Sequence, residues 1–425
     1  MKRIGIILPL AALFLCSCTT APFYAGERRY ISEGYFGMAP GSPLEEPKIE
    51  LMDKLGVTWI RRTLYWSSME HEPDQWDFIH WDEFVEAGKG AGKKILAILA
   101  YDNDLYLEKG QRDDNITPEI LPYYLRYVEN VVRRYKGRID AYEIWNEPNL
   151  AYWNGSRRDY CEMVKAAARK IREIDPGAVI VAGAFWRTGQ SWVRDMFEAG
   201  AMADIDVISF HPYAVNPRGV VKLYDRLKKR VSTLGYTGEI WVTEVGYPTH
   251  GWYPHTVSER KYPQYIVKTL TGLAVRGVRT CFWYELFDAN NRDVRRSLNS
   301  EEYFGLAYPD YSLKPGAAAY ALCGTLIAGT EYRPDLPQRT KLPPSVESLC
   351  FTGAQGRHVL FLWSEGKTPL KVVLTLPGTE QRLCDIVSGE EKNVGEETEL
   401  LIDGTPRIFT WVAAEDAVPH VWRRP

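Results

Sequence analysis

Short apolar segments alternate with amphipathic stretches from about residue 35 to residue 285. Apolar residues at three- and four-residue spacing, such as Leu121, Leu125 and Val128, predict helices in the amphipathic stretches. The segments between them are apolar along most of their length, which is typical of parallel strands covered by helices on both faces. Eight strands are predicted: Tyr35–Met38, Val57–Leu64, Lys94–Leu99, Asp140–Asn146, Val179–Gly183, Val207–His211, Glu239–Glu244 and Thr280–Tyr284.

An eightfold repeat of strand and helix is completed by a last predicted helix, Ala317–Ile327. Eight strands that are each followed by a helix, over roughly 300 residues, predict a TIM (β/α)8 barrel, which we assign to residues 34–330. A doubly wound open sheet is the alternative α/β fold, but no glycine-rich phosphate loop follows the first strand.

The pattern changes after residue 330, where Pro334, Pro337, Pro343 and Pro344 mark a linker. Short alternating runs separated by glycine and proline then predict a small antiparallel β-sandwich over residues 335–425. Its predicted strands are Ser348–Phe351, His358–Trp363, Leu370–Leu376, Gln381–Asp385, Thr398–Ile402 and Arg407–Val412.

Composition narrows the function classes. Among 425 residues, 52 Lys and Arg stand against 55 Asp and Glu, a net charge of −3, which lacks the basic excess of a nucleic-acid-binding protein. The chain is rich in aromatic residues, with 14 Trp, 26 Tyr and 14 Phe. A large core could hold many of these rings, and a cleft that stacks rings on sugars is the other interpretation.

The N-terminus has the pattern of a targeting segment. Lys2 and Arg3 precede the apolar run Ile4–Leu15, which is too short to span a bilayer. The following Leu15-Cys16-Ser17-Cys18 resembles the cleavage box of a bacterial lipoprotein. We therefore predict a signal peptide over residues 1–17, a lipid anchor on Cys18, a tether over residues 18–33 and a location in the bacterial cell envelope. An ordinary signal peptide, with a secreted or periplasmic product, is the alternative.

The other cysteines do not indicate a disulfide framework. Five remain after Cys16 and Cys18, their spacings are wide and no C-x-x-C occurs. A zinc site is therefore not predicted. One disulfide among these five cysteines is possible, and the sequence does not identify the pair.

Two glutamates follow predicted strands at the end where a TIM barrel carries its site. Glu147 follows strand four and Glu244 ends strand seven. A buried carboxylate is costly unless it is paired, so two acids that converge on one cavity indicate chemistry. Glycosidic-bond cleavage needs two such groups, one protonated and one ionised. Arg61 is the cation expected to hold one acid ionised, or Arg62 if the strand register slips by one.

The residues around these acids resemble the glycoside hydrolases of clan A, most closely family 39 and its relatives. The likeness extends over about residues 34 to 330 and includes the trailing β-domain. The strings that carry it are Trp59-Ile60-Arg61 through Trp66-Ser67-Ser68-Met69-Glu70, and Tyr142-Glu143-Ile144-Trp145-Asn146-Glu147-Pro148-Asn149-Leu150 with Tyr152-Trp153.

The resemblance implies retaining hydrolysis of β-linked glycans, with Glu147 as acid/base and Glu244 as nucleophile. It further implies that Asn146 holds the hydroxyl next to the reacting carbon, and that Tyr213 hydrogen-bonds Glu244. His211 would orient the acid or the sugar, although a satisfied core histidine is the alternative at that position.

Tryptophans complete the implied site. Trp283 is expected to be the floor on which a sugar ring stacks, with a purely structural core role as the alternative. Trp153, Trp186 and Trp252 are candidates for further subsites. Strand two departs from the family, because Arg62-Thr63 stands where an apolar residue and an acid are typical.

The expected partner is an oligo- or polysaccharide, with a membrane contacted only through the lipid and no nucleic acid. The reaction implied needs no cofactor and no metal. Two other classes are alternatives: an inactive carbohydrate-binding lipoprotein on the same barrel, and a surface adhesin whose β-domain binds a protein.

Overall fold

The computed structural model describes residues 22–107, 114–187, 189–291 and 297–423. Its strands are β1 Arg29–Tyr30, β2 Phe36–Met38, β3 Trp59–Tyr65, β4 Glu70–Glu72, β5 Gln75–Trp76, β6 Lys94–Ala100, β7 Ala141–Ile144, β8 Val179–Trp186, β9 Val207–His211, β10 Glu239–Val245, β11 Cys281–Trp283, β12 Glu331–Tyr332, β13 Gln338–Thr340, β14 Val346–Thr352, β15 Arg357–Ser364, β16 Leu370–Thr375, β17 Thr379–Cys384, β18 Glu391–Asn393, β19 Glu397–Ile402, β20 Arg407–Val412 and β21 His420–Trp422. Its α-helices are α1 Glu46–Lys54, α2 Ile79–Gly90, α3 Leu121–Tyr135, α4 Arg157–Ile174, α5 Gln190–Glu198, α6 Pro217–Thr233, α7 Tyr262–Ala274 and α8 Pro315–Ile327.

Eight parallel strands close into a barrel in the order β2, β3, β6, β7, β8, β9, β10, β11, and each is followed by a helix. The predicted TIM barrel is confirmed, and the eight predicted strands correspond one for one to the strands of the barrel. The helices form because apolar residues repeat along one face of each. In α3 that face buries Tyr124, Tyr127, Val128 and Val131 against the barrel.

The barrel interior is filled by one residue from each of seven strands. These residues are Trp59, Leu96, Ala141, Val181, Val207, Trp241 and Phe282. Side chains alternate along a strand, so the residue two positions further on also points inward. Arg61, Glu143, Ser209 and Thr243 occupy those positions, and the apolar interior therefore ends in a polar layer at the carboxyl ends of the strands.

The C-terminal region is a sandwich of two sheets, as predicted. A seven-stranded sheet has the order β1, β12, β14, β15, β20, β17, β18, and a four-stranded sheet has the order β13, β21, β16, β19. Leu360, Leu374 and Trp411 are buried between the sheets. The opposite face of the larger sheet, which carries Phe361 and Trp363, joins the same apolar core as the barrel and its helices.

The tether predicted for residues 18–33 is wrong from Pro22 onward. β1 pairs with β12 in the larger sheet, and Tyr24 is fully buried. The backbone N–H groups of Phe23 and Tyr24 donate to the Glu347 carboxylate at 2.8 and 3.1 Å. The polar residues of this segment suggested a solvated linker, but its aromatic side chains bury enough apolar surface to fix it to the fold.

The predicted signal peptide and Cys18 lie outside the described residues, so the lipid anchor stays a prediction. None of the helices in the described residues is both long and apolar enough to cross a bilayer. The cysteines that the structure describes are all buried and free, namely Cys161, Cys281, Cys323, Cys350 and Cys384.

Candidate active site

The turn after β7 lifts Asn146 and Glu147 into the mouth of the barrel. Trp145 and Glu147 have φ of 68° and 45°, in the left-handed region that non-glycine residues rarely adopt. Such a conformation costs on the order of 1–3 kcal/mol per residue and persists only where the surroundings hold it. Here the N–H of Trp145 donates to the Leu99 carbonyl at 3.2 Å and that of Glu147 to the Ala184 carbonyl at 3.1 Å.

A bulge in β10 brings two consecutive side chains to the catalytic end of the barrel, Thr243 against the buried His211 and Glu244 into the cavity. The pairing with β11 shifts between Val242 and Val245, so that β10 holds one extra residue there. Bulges re-aim side chains that strict alternation would send to opposite faces. Thr243 consequently contacts His211, at 3.2 Å, while its neighbour Glu244 still reaches the carboxyl end of the barrel.

Arg61 is buried at the centre of the polar layer. Its Nε donates to Glu143 at 2.7 Å, its Nη1 to Glu244 at 2.5 Å and its Nη2 to Asn146 at 2.9 Å. Glu143 is itself fully buried and accepts a second hydrogen bond from Ser209 at 2.6 Å. One guanidinium therefore fixes two carboxylates and the amide of Asn146, as the fork geometry of arginine allows.

His211 lies between the two acids. Its Nδ1 is 2.7 Å from Oε1 of Glu147 and 3.6 Å from Oε2 of Glu244. It is fully buried, so it positions the acids and does not line the cavity. The Tyr213 hydroxyl donates to Oε2 of Glu244 at 2.9 Å, which is the contact expected from the sequence.

The two carboxylates share one cleft. An oxygen of Glu147, an oxygen of Glu244 and a ring nitrogen of His211 all lie within 4.8 Å of one another. Three such groups could in principle hold a cation. Arg61 and Tyr213 already donate to the two oxygens of Glu244, however, and a guanidinium at 2.5 Å repels a metal ion. The arrangement is better suited to chemistry that needs one protonated and one ionised carboxyl group.

The surroundings shift the pKa values of Glu147 and Glu244 in opposite directions. Burial raises the pKa of Glu147, and the nearby charge of Glu244 adds to that, against the opposing effect of His211. Burial also acts to raise the pKa of Glu244, but His211, Arg61 and the hydrogen bonds from Arg61 and Tyr213 outweigh it and lower that pKa. Opposite shifts of this kind let one acid carry a proton while the other is ionised.

A cavity of about 670 Å³ opens above these groups. Glu147, Glu244, Arg61, Asn146 and Tyr213 all line it, so the structure brings these residues together. Aromatic side chains line it as well: Tyr65, Tyr101, Tyr152, Trp186, Tyr213, Trp252, Tyr253, Tyr284 and Phe304. Trp186 and Trp252, two of the candidate subsite residues, are therefore in place to contact a ligand.

Two tryptophans assigned to substrate are core residues instead. Trp283 is fully buried, donates to the Tyr262 hydroxyl at 3.2 Å and does not line the cavity. Phe282 fills the barrel interior, so its neighbour Trp283 must face the helices. Trp153 is only 5% exposed, because it packs between Trp145 and Tyr160, and it does not line the cavity either.

Several cavity residues were not assigned from the sequence. Tyr284 lines the cavity one position after Trp283, and Tyr152 does so one position before Trp153. Strand parity would have identified Tyr284, since it shares the inward face with Phe282. Two further acids line the cavity: burial, followed by the charge of Glu244, raises the pKa of Glu285 to about 8, and burial raises that of Glu301.

The model of the cellulase family, glycosyl hydrolase family 5, matches residues 34–285. The chain belongs to this family of clan A glycoside hydrolases. It is therefore a glycosidase that hydrolyses O-glycosyl bonds, and its clan was correctly predicted. No curated protein matches the chain in sequence.

Solved structures share the fold over almost the whole chain. A family 39 glycoside hydrolase from the gut symbiont Bacteroides cellulosilyticus WH2 has a TM-score of 0.74 at 21% identity, covering 91% of this chain and 82% of that one. A family 39 β-xylosidase from Caulobacter crescentus has a TM-score of 0.66 at 17% identity, with 92% and 97% covered. A glucosidase from Croceicoccus marinus has a TM-score of 0.63 at 14% identity, with 92% and 98% covered. The predicted likeness of this glycosidase to family 39 is thus present in its fold.

Proposed function

We propose that this glycosidase hydrolyses β-linked oligo- or polysaccharides with retention of configuration. The observation that carries the proposal is the pair of carboxylate oxygens of Glu147 and Glu244 within 4.8 Å in one cavity. Retaining enzymes hold their carboxyl groups about 5–5.5 Å apart, whereas inverting enzymes need roughly 6.5–9.5 Å to admit a water molecule.

The two steps follow from the contacts of each acid. Glu147, whose pKa is raised, gives its proton to the glycosidic oxygen while Glu244 attacks the anomeric carbon, so the leaving alcohol departs and a glycosyl ester of Glu244 forms. Glu147, now ionised, takes a proton from water. That water attacks the anomeric carbon, breaks the ester and returns Glu244 as a carboxylate with Arg61 and Tyr213 donating to it.

We assign to Asn146 the role of holding the hydroxyl next to the reacting carbon. Its Oδ1 accepts from Arg61 at 2.9 Å and its Nδ2 donates to Tyr101 at 3.0 Å, so its amide plane is fixed from both ends. The many rings of the cavity suit a sugar ligand, because aromatic faces pack against the apolar faces of sugar rings. The name β-xylosidase of one structural relative supports a β linkage.

The test is a panel of aryl β-glycosides and β-linked polysaccharides with wild type, Glu244→Gln and Glu147→Ala. We expect Glu244→Gln to be inactive on every substrate. Glu147→Ala should lose about 10²–10⁴-fold on glycosides with poor leaving groups and far less on those with good ones, which depart without a proton. Proton NMR of the first product formed should show the β-anomer. The α-anomer, or full activity of Glu244→Gln, would overturn the assignment.

We also propose that a lipid on Cys18 anchors the enzyme in the bacterial cell envelope. The basic Lys2 and Arg3, the apolar run Ile4–Leu15 and the Ser17-Cys18 cleavage site support it. Full-length protein should partition into detergent, and Cys18→Ser should not. Membrane-bound Cys18→Ser protein would contradict the anchor.

A further inference from the structure

Arg62 is a cation of the cavity wall with no ionic partner. It lines the cavity, its Nε is buried without a hydrogen-bond partner, and no ion pair joins it to any residue that the structure describes. Its guanidinium carbon lies 5.9 Å from the ring centre of Trp81 in α2, which supports it from behind. A partly buried, unpaired guanidinium is unfavourable, since charge burial is ordinarily offset by a counter-ion.

The surroundings leave the charge of Arg62 largely unneutralised. Lys48 of α1 lies close enough that the charge of Arg62 lowers its pKa, after the larger effects of burial, which also lowers it, and of Glu45, which raises it. Glu285 is the carboxyl that acts on Arg62, but burial and the neighbouring acids raise the pKa of Glu285 to about 8, so it is largely uncharged at neutral pH. This corner of the cavity is therefore positive and open to an anion.

Strand order places Arg62 on the glycone side of the reacting bond. Glu147 after β7 and Glu244 in β10 divide the barrel mouth into two arcs, one formed by β8 and β9 and the other by β11, β2, β3 and β6. Asn146, which holds the hydroxyl beside the reacting carbon in the proposed function, is bonded to Arg61 of β3 and Tyr101 after β6. The glycone sugar consequently lies over the second arc, to which Arg62 belongs.

Because side chains alternate along β3, Arg62 lies further from the reacting carbon than Arg61 does. Arg61 points into the barrel, and Arg62, one residue later, leans outward against α2 and meets the cavity at its edge. It can therefore reach the periphery of the glycone ring while the reacting carbon faces Glu244. An anionic group carried on that periphery would complete the positive corner.

We propose that Arg62 binds an anionic substituent on the glycone sugar, a carboxylate or a sulfate ester, and so makes the enzyme selective for acidic glycans. The inference rests on the proposed function for its placement of the glycone. Arginine suits the task because its planar fork binds carboxylate and sulfate oxygens in pairs.

The experiment compares 4-nitrophenyl β-hexosides with the matching β-hexuronides and 6-sulfated β-hexosides in the gluco, galacto and manno series. The quantity of interest is the ratio of kcat/KM for the acidic and neutral member of each pair. Wild type should favour one acidic class, and Arg62→Gln should lower that ratio about 10- to 100-fold. Arg62→Lys should retain part of the preference, since it keeps the charge and loses the fork. The class that responds, hexuronide or sulfate, identifies the anion.

Arg133→Gln is the matched control, because it removes an arginine charge on the exposed surface of α3 and should leave the ratio unchanged. Thermal denaturation reports whether Arg62→Gln is folded. An unchanged ratio in Arg62→Gln for both acidic classes overturns the proposal. If wild type cleaves no glycoside, the proposed function fails, and calorimetric affinities of the same pairs for Glu244→Gln, with and without Arg62→Gln, still decide the role of Arg62.

Discussion

Nδ1 of His211 lies 2.7 Å from Oε1 of Glu147, and the same nitrogen is 3.6 Å from Glu244. This single imidazole lowers the pKa of both acids, so its loss should raise both. We expect His211→Asn to move the acidic and basic limbs of the kcat/KM profile to higher pH. The partly exposed His420 of β21 lies outside the site and provides the control, and His420→Asn should keep the wild-type profile. Limbs that stay in place in His211→Asn would remove His211 from this positioning role.

The pH dependence of the wild type follows from the two shifts. Glu244 must be ionised and Glu147 protonated, and the site lowers the pKa of the first below the ordinary value of a glutamate and raises that of the second above it. As the pH rises, kcat/KM should therefore increase through the pKa of Glu244 and decrease through that of Glu147. Steady-state kinetics with an aryl glycoside measure this bell-shaped curve. Glu147→Gln should lack the basic limb, and a basic limb that persists there would assign it to another group.

The buried pair of Arg61 and Glu143 should be critical for stability. Glu143→Ala leaves the Arg61 guanidinium with one carboxylate where it had two, and the change should reduce the free energy of unfolding by about 3–5 kcal/mol. Glu86→Ala removes a salt bridge to Arg138 on the exposed surface and should cost less than about 1 kcal/mol. Urea denaturation of both variants tests the contrast. Equal losses of unfolding free energy in the two variants would mean that the buried pair contributes no more to stability than an exposed salt bridge.

The N-terminal segment is expected to stabilise the whole fold. Tyr24→Ala empties a fully buried site against Trp363 and should cost about 3–5 kcal/mol. Tyr30 is 58% exposed, so Tyr30→Ala should change stability by no more than about 0.5 kcal/mol. Thermal denaturation distinguishes them. A Tyr24→Ala protein as stable as the wild type would restore the interpretation of this segment as a tether.

The barrel was predictable because its evidence is local. Each strand is a short apolar run, and in each helix apolar residues repeat at the helical period. Both patterns can be recognised without knowledge of tertiary contacts. Glu147 and Glu244 could also be predicted from the sequence. A charged residue at the end of an apolar strand conflicts with burial unless it has a function. Arg61 was predicted as the cation that holds one acid ionised, with Arg62 as the alternative if the strand register slipped by one.

The same local evidence did not predict which tryptophans line the cavity. Trp283 and Trp153 lie next to cavity residues in sequence, but a shift of one position sends a side chain to the opposite face of a strand. The predicted strand ended at Tyr284 and gave no register against the barrel interior, which Phe282 sets. Trp153 lies in a loop, where its packing between Trp145 and Tyr160 depends on tertiary contacts.

The pairing of β1 with β12 also bears on how the chain acquires its structure. Arg28 and Glu331, which form a salt bridge beside this pair of strands, are 303 residues apart in the sequence. At roughly 5–20 residues per second, a ribosome needs on the order of 15–60 s to bridge that interval. β1 is thus synthesised long before its neighbour β12, and the larger sheet cannot be completed before the barrel between them has been synthesised.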